Sequence, residues 1–281
     1  AQLMEFRTQV DIPKPGFQIE PRDEMLFVGS CFADSIGQRF VDNQFCATVN
    51  PYGTMYNPAS VLHTVSRYEG RPRIVFITLG TNHVYRLKET GEIVDNCQKR
   101  PASLFQEEQL SVDECADYLQ RTVTLLRSRR PDVHIVFTVS PIRYRKYGYH
   151  GSQLSKATLL LAVHKLISNL LPLTSNLEYF PAYEILMDEL RDYRFYADDM
   201  LHPSSQAVEY IWQQLVEHYF SPRAKEFLRD WAPLKAALNH RPFNPDSDKY
   251  RQFLTDTHVK IDNLLSRYPA TNKQPEYADK I

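Results

Sequence analysis

A serine and an acid–base pair stand at positions in this chain where they could do chemistry together. The apolar run 25–28 leads through Gly29 into Ser30, after which apolar residues recur at helical spacing. This pattern predicts a strand, a sharp turn and a helix, with the serine at a helix N-terminus, where negative charge is stabilised. Far downstream, Asp199 and His202 offer a carboxylate and an imidazole. We therefore predict a Ser/His/Asp triad with Ser30 as nucleophile, His202 as base and Asp199 as orienting acid.

Each of these residues also has a structural interpretation. Serine is among the best helix N-caps, so starting the helix would by itself explain Ser30. The segment that follows His202 could be no more than a helix entry, with Ser204 or Ser205 as its cap. The separate acid–base element favours the catalytic interpretation, and its three-residue spacing favours Asp199 over Asp198.

Two other residues compete for the chemical roles. Cys31 could act as a thiol nucleophile, but the residue after an exposed corner more often turns inward as a small apolar group. His83 could act as the base, yet no carboxylate is paired with it locally. We therefore expect Cys31 to be dispensable and His83 to line the rim of the pocket.

The order of the elements predicts the fold class. Strands are predicted at 25–28, 45–49, 73–80, 133–140 and 177–180, a hairpin at 84–87 and 93–94, and helices at 59–68, 111–129, 155–170 and 205–220. Strands that alternate with helices imply right-handed βαβ units, so we predict an α/β fold with a parallel sheet of about five strands, covered on both faces. In such sheets the ligand site lies beyond the C-terminal strand ends, where Ser30, Gly53, Gly80 and the loop after Ser140 fall.

From Ser221 onward the chain changes to amphipathic helices, predicted at 224–231 and 248–265. We therefore divide it into an α/β domain at 1–220 and a C-terminal helical extension at 221–281. The apolar residues of the extension recur at helical spacing and need burial, so we expect it to pack on the α/β domain. Part of this surface could instead be buried in a homodimer.

Composition narrows the class of partner. The chain has 33 Lys and Arg against 34 Asp and Glu, so no overall charge attracts it to nucleic acid or anionic membranes. No apolar run approaches the roughly 20 residues of a membrane span. The start of the chain lacks a secretory signal pattern, and the four cysteines lack metal-site spacing. We expect a cytoplasmic protein with free thiols, no metal and a small-molecule partner.

Several separated blocks resemble a known family. The string at 29–33, Gly-Ser-Cys-Phe-Ala, is the one after which the GSCFA family is named. Blocks that look like the other family motifs follow in order at 50–58, 78–81, 139–143, 155–157 and 199–204. The resemblance spans most of the chain, from about Phe6 into the C-terminal helices. The family is in turn similar to the SGNH/GDSL hydrolases, which implies a flavodoxin-like three-layer fold and the hydrolysis or transfer of acyl esters.

The resemblance also implies how an oxyanion would be held. In the superfamily, separate blocks carry the nucleophilic serine, an oxyanion glycine and an oxyanion asparagine, which correspond here to Ser30, Gly53 and Asn82. The backbone N–H groups of Ser30 and Gly53, with the Asn82 side chain, would then form the oxyanion hole. The third block departs from the superfamily pattern, because His83 stands where an acidic residue is usual.

The loop after Ser140 concentrates basic and aromatic residues at the expected sheet edge. We predict Arg143, Lys146 and His150 as substrate-binding residues, together with His83 at the rim. Such side chains suit a sugar or an anionic acyl acceptor, whereas the cluster is too short for nucleic acid.

The function expected from these features is a serine esterase, or O-acyl hydrolase, acting on an acylated carbohydrate or another small ester without a cofactor. Two alternatives stay open. An acyltransferase would use the same triad, with an acceptor hydroxyl in place of water. A non-catalytic glycan-binding or scaffold protein would keep the fold alone.

Overall fold

The structure is a computed structural model that describes residues 6–95, 100–170, 176–244 and 246–269. Within these ranges the strands are β1 (Met25–Gly29), β2 (Ala47–Val49), β3 (Ile74–Leu79), β4 (His83–Leu87), β5 (Ile93–Val94), β6 (Phe105–Gln109), β7 (His134–Val139) and β8 (Leu177–Tyr179). The helices are α1 (Cys31–Asp42), α2 (Pro58–Arg67), α3 (Val112–Arg129), α4 (Gly148–Leu170), α5 (Ala182–Glu184), α6 (Ser205–Tyr219), α7 (Pro222–Leu238) and α8 (Asp248–Ser266). A π-helical turn, Ile185–Leu190, continues α5.

The central sheet of the described residues has five parallel strands in the order β2-β1-β3-β7-β8. Numbered within this sheet, the order is 2-1-3-4-5, which is the flavodoxin-like order. The predicted α/β fold with a parallel sheet is therefore confirmed. The strand order reverses at β1, so the C-terminal end of β1 lies at the switch point, where proteins of this architecture bind ligands.

Each face of the sheet is covered by its own layer of helices. Phe27 of β1 belongs to the core shared with α1, α6 and α7, whereas Val28 belongs to the core shared with α2, α3 and α4. Phe27 stacks on Phe76 of β3 with ring centroids 4.8 Å apart. Burial on both faces explains why the central strands are continuous apolar runs rather than alternating ones.

The predicted C-terminal helices are present, and α7 is longer than expected. Trp231 of α7 is 2% exposed and lies in the core cluster that includes α1. Tyr268, after α8, places its ring 5.0 Å from that of Phe227. Residues 270–281 of the predicted extension lie outside the described residues.

Three parts of the chain differ from the sequence prediction. A polar strand, β6, pairs with β4 and turns the predicted hairpin into a three-stranded sheet. Helix α4 begins at Gly148 rather than near Ser155, because its first turn carries no apolar periodicity. The segment before β1 was not assigned, yet Gly16 N–H donates to Glu178 of β8 (2.6 Å) and Ile19 pairs with Phe220.

Two features are absent from the described part of the chain. No helix there has the length and apolar character needed to cross a membrane. No group of three or more His, Cys, Asp or Glu side chains there could hold a metal ion. Of the four cysteines, Cys31, Cys46 and Cys115 are free thiols, and Cys97 lies outside the described residues.

Candidate active site

Ser30 stands at the corner between β1 and α1, at the switch point of the sheet. It is the N-cap of α1, and its Oγ accepts a hydrogen bond from the Phe32 N–H (3.3 Å). Its own N–H donates to the Thr78 carbonyl of β3 (3.1 Å). The side chain is completely buried, so the expectation of an exposed corner is wrong, and Cys31, expected to turn inward, is partly exposed. The capping interpretation of Ser30 is thus correct. It is compatible with a nucleophilic role, because a hydroxyl that accepts a capping hydrogen bond still carries a proton that it can transfer to a base.

The corner needs a glycine and a buried amide. Gly29 has φ +148°, and a Cβ at this position would lie 2.1 Å from the Thr78 carbonyl oxygen. Asn50, after β2, accepts a hydrogen bond from the Gly29 N–H (2.9 Å) and donates from Nδ2 to Asp34 of α1 (2.7 Å). Asn50 therefore holds strand and helix together beside Ser30. It was not predicted as a site residue, because its partners are distant in sequence.

The predicted acid–base pair forms within one local turn. Nδ1 of His202 lies 2.6 Å from Oδ2 of Asp199. The other carboxylate oxygen, Oδ1, accepts the N–H groups of Leu201 (2.8 Å) and His202 (3.0 Å). These backbone hydrogen bonds, followed by the one from the imidazole, lower the pKa of Asp199 to about 2. The carboxylate is therefore ionised at neutral pH and fixes the imidazole with Nε2 directed away from it.

The pair is attached to the loop that follows β7. The Arg143 N–H donates to the Leu201 carbonyl (3.1 Å), and the Arg143 guanidinium donates to the Met200 carbonyl. This loop and Ser30 lie at the same edge of the sheet, because Gly29, Thr78 and Thr138 are in register across β1, β3 and β7. Among the described residues no hydrogen bond joins Ser30 to His202. Catalytic hydrogen bonds are often long in a ligand-free enzyme, so the lack of this hydrogen bond is compatible with a catalytic Ser30–His202 pair.

The groups expected to hold the oxyanion already have partners. The Gly53 N–H donates to the Asn50 carbonyl (2.9 Å), with Gly53 at φ +90° in an exposed turn. The side chain of Asn82 is buried and donates from Nδ2 to the Leu110 carbonyl (2.7 Å). The Ser30 N–H is likewise engaged, on the Thr78 carbonyl. Each of the three expected oxyanion donors therefore already has one N–H in a hydrogen bond.

The predicted substrate-binding residues divide into two groups. Lys146 forms an ion pair with Glu107 of β6 (2.8 Å), and His83 is buried and stacks on the Tyr147 ring at 3.6 Å. Burial lowers the pKa of His83, although Glu107 opposes this effect. These two residues link the loop to the small sheet. Arg143 lies instead beside the acid–base pair. His150 lies in the exposed first turn of α4.

Arg143 is surrounded by tyrosine rings. Its guanidinium lies 4.4 Å from the ring centroid of Tyr196, 4.8 Å from that of Tyr149 and 5.8 Å from that of Tyr193. Tyr149 and Tyr193 are 51% and 69% exposed. The sequence singled out the charge, but the structure places this charge between aromatic surfaces that flank the Asp199–His202 turn.

Sequence reasoning did not assign a role to the buried lysine of α4. Lys156 is 2% exposed and donates from Nζ to the Gly80 carbonyl (2.7 Å), at the end of β3. Burial lowers the pKa of Lys156 to about 7. A signal was present, because Lys156 lies at helical spacing between Ser152 and Leu159 on the face of α4 that packs inward.

Fold and site together define a flavodoxin-like α/β protein with a serine at the switch point and an Asp/His pair at the same sheet edge. The chain belongs to the GSCFA family. The GSCFA family model matches residues 24–73 and 68–215, and the model of the GSCFA C-terminal domain matches residues 231–279. No protein of curated function matches the chain.

Solved structures with a similar arrangement are distant. A candidate GDSL-like lipase from Parabacteroides merdae is 12% identical, with a TM-score of 0.48, and the match covers 73% of this chain and 98% of that one. A candidate acylhydrolase from Bacteroides fragilis is 14% identical, with a TM-score of 0.46 and coverages of 77% and 92%. A candidate platelet activating factor from Streptococcus pneumonia is 16% identical, with a TM-score of 0.47 and coverages of 71% and 84%. Likenesses this remote do not identify a reaction.

Proposed function

We propose that this protein is a serine esterase that cleaves small acyl esters with Ser30, His202 and Asp199. The observation that carries the proposal is the 2.6 Å contact between His202 Nδ1 and Asp199 Oδ2, at the sheet edge where Ser30 follows β1. A carboxylate on Nδ1 selects the tautomer whose Nε2 can accept a proton.

The proposed reaction follows from these roles. Ser30 Oγ attacks the acyl carbonyl while His202 Nε2 accepts the serine proton, and the carbonyl π electrons move to the acyl oxygen. Collapse of the tetrahedral intermediate breaks the ester C–O bond, and His202 returns the proton to the departing alkoxide. Water then repeats the sequence on the acyl-enzyme. Asp199 keeps its charge throughout and stabilises the imidazolium.

An acylated carbohydrate is the substrate class that we propose. The exposed rings of Tyr149 and Tyr193 flank the Asp199–His202 turn, and flat aromatic surfaces present an apolar body to a sugar ring with a hydroxyl at the edge. Under this proposal Arg143 positions the rings rather than binding substrate by charge. Tyr193→Ala should raise KM for an acetylated sugar several-fold and leave turnover of p-nitrophenyl acetate unchanged.

The triad is tested with a fluorophosphonate probe and p-nitrophenyl acetate. Loss of nucleophile or base lowers kcat by about 10⁴ to 10⁶ in such triads, and the losses are not additive. Ser30→Ala and His202→Ala should each resemble the double variant in kcat, and labelling of Ser30 by the probe should vanish in Ser30→Ala and weaken in His202→Ala. Cys31→Ala is the matched control and should retain activity. Full activity in Ser30→Ala together with loss in Cys31→Ala would assign the reaction to the thiol instead.

A further inference from the structure

The hydroxyl of Tyr144 is a buried polar group without a hydrogen-bond partner among the described residues. Leaving such a group unpaired is destabilising, so its persistence in a folded protein calls for an explanation. Burial raises the pKa of Tyr144 far above its ordinary value, so the hydroxyl keeps its proton and remains a donor.

This hydroxyl lies beside the proposed nucleophile. A Cβ added to Gly80 would be 2.3 Å from the Tyr144 hydroxyl oxygen and 3.3 Å from the Ser30 Cβ. The Tyr144 hydroxyl and the Ser30 side chain therefore both lie next to Gly80, at the C-terminal end of β3. Glycine at position 80 is what allows the phenol to approach so closely.

A buried cation lies next to the same phenol. Nζ of Lys156 is 5.0 Å from the centroid of the Tyr144 ring and donates to the Gly80 carbonyl. No carboxylate of the described residues forms an ion pair with Lys156, and desolvation is what shifts its pKa. A cation facing an aromatic ring withdraws electron density from it, which makes the hydroxyl a stronger donor. When protonated, Lys156 thus supplies positive potential where a reacting acyl group would become negative.

Three main-chain N–H groups near this point have partners. Gly80 and Thr81 both donate to the Tyr56 carbonyl (2.8 Å each), and the Ser30 N–H donates to Thr78. The Tyr144 hydroxyl is therefore a free donor next to the serine, in a position to hydrogen-bond a negative oxygen.

We propose that the Tyr144 hydroxyl, supported by Lys156, donates the hydrogen bond that stabilises the oxyanion formed when Ser30 attacks an acyl carbonyl. This inference rests on the proposed esterase function. No proton is transferred from Tyr144. The electron pair that leaves the carbonyl π bond resides on the acyl oxygen, accepts the Tyr144 hydrogen bond, and returns to re-form the carbonyl as the alkoxide departs.

The decisive variant is Tyr144→Phe, which removes the hydroxyl and keeps the ring over Lys156. Loss of one oxyanion donor typically lowers kcat by about 10²- to 10³-fold. We expect this loss for p-nitrophenyl acetate with KM within about two-fold of the unmodified value, and slower labelling by a fluorophosphonate, whose phosphoryl oxygen takes the place of the oxyanion. Tyr147→Phe, in the same loop, is the matched control and should react at the unmodified rate.

The outcomes separate this inference from the esterase proposal. Unchanged kcat and labelling in Tyr144→Phe, with Ser30→Ala inactive, would overturn the role of Tyr144 and leave the esterase standing. Unchanged activity in Ser30→Ala would overturn both. Should Tyr144→Phe fail to fold, difluorotyrosine at position 144 keeps the ring and hydroxyl but makes a stronger donor. Faster labelling of Ser30 would then support the inference, and an unchanged rate would refute it.

Discussion

Trp231 of α7 donates a hydrogen bond of 3.0 Å from its indole Nε1 to the main-chain carbonyl of Asp42, the last residue of α1. The indole is 2% exposed, so apolar burial and the hydrogen bond act at the same place. The contact joins the C-terminal helices to the helix that begins at Ser30. Stability of the corner that presents the serine is therefore expected to depend on residues more than a hundred positions away.

We predict that Trp231→Ala destabilises the protein strongly. Truncation of a buried Trp typically costs about 3–5 kcal/mol, through lost burial and the cavity left behind. Urea unfolding monitored by circular dichroism measures the change. Leu238→Ala, on the same helix at a position 37% exposed, is the control and should change the unfolding free energy by less than half as much. Equal midpoints for Trp231→Ala and the unmodified protein would contradict the packing of α7.

Gly29 and Gly53 form a matched pair for a test of backbone strain. Gly29→Ala forces a Cβ to within 2.1 Å of the Thr78 carbonyl oxygen at φ +148°. Gly53→Ala meets nothing within 4 Å at φ +90° and bears only the conformational penalty, about 1–2 kcal/mol for a left-handed residue. We expect Gly29→Ala to unfold at a clearly lower temperature than Gly53→Ala in a thermal melt. The reverse order would show that Gly29 does not shape the corner as described.

Stability should rise with pH above neutrality because of Lys156. Its pKa in the folded protein is about 7, below its ordinary value of 10.5, so the unfolded chain binds more protons between these values. Stability therefore increases as pH rises through this window, by linkage. We expect the melting temperature of the unmodified protein to gain more between pH 7 and pH 9 than that of Lys156→Met. Equal gains in melting temperature for the two proteins would mean that Lys156 is not desolvated.

Stability should fall in mild acid because of His134. Burial, with the nearby charge of Arg73, lowers the pKa of His134 to about 4, below its ordinary value of 6.5. The unfolded chain therefore takes up a proton first, and stability is lost as pH falls from about 6.5 towards 4. His134→Gln should show a smaller decrease in melting temperature over this range. Equal decreases for His134→Gln and the unmodified protein would contradict the burial of His134.

The local parts of the site could be predicted from the amino-acid pattern. Strand, corner and helix around Ser30 follow from apolar patterning and capping, and the Asp199–His202 contact spans three residues within one turn. The α/β class and parallel sheet follow from the alternation of strands and helices, because βαβ connections have a fixed hand. These features depend on residues close together in the chain, which is why the pattern was sufficient to predict them.

The surroundings of Ser30, in contrast, depend on contacts between residues that are distant in the chain. The 2.7 Å hydrogen bond from Lys156 to Gly80 joins residues 76 positions apart, and no local pattern reveals that this lysine has lost its water. The engaged N–H group of Ser30, which donates to Thr78 of the neighbouring strand, and the unpartnered hydroxyl of Tyr144 likewise depend on which strand ends meet at the switch point. Desolvation and hydrogen-bond pairing are properties of the packed chain, so the immediate environment of the nucleophile appears only when the sheet is assembled.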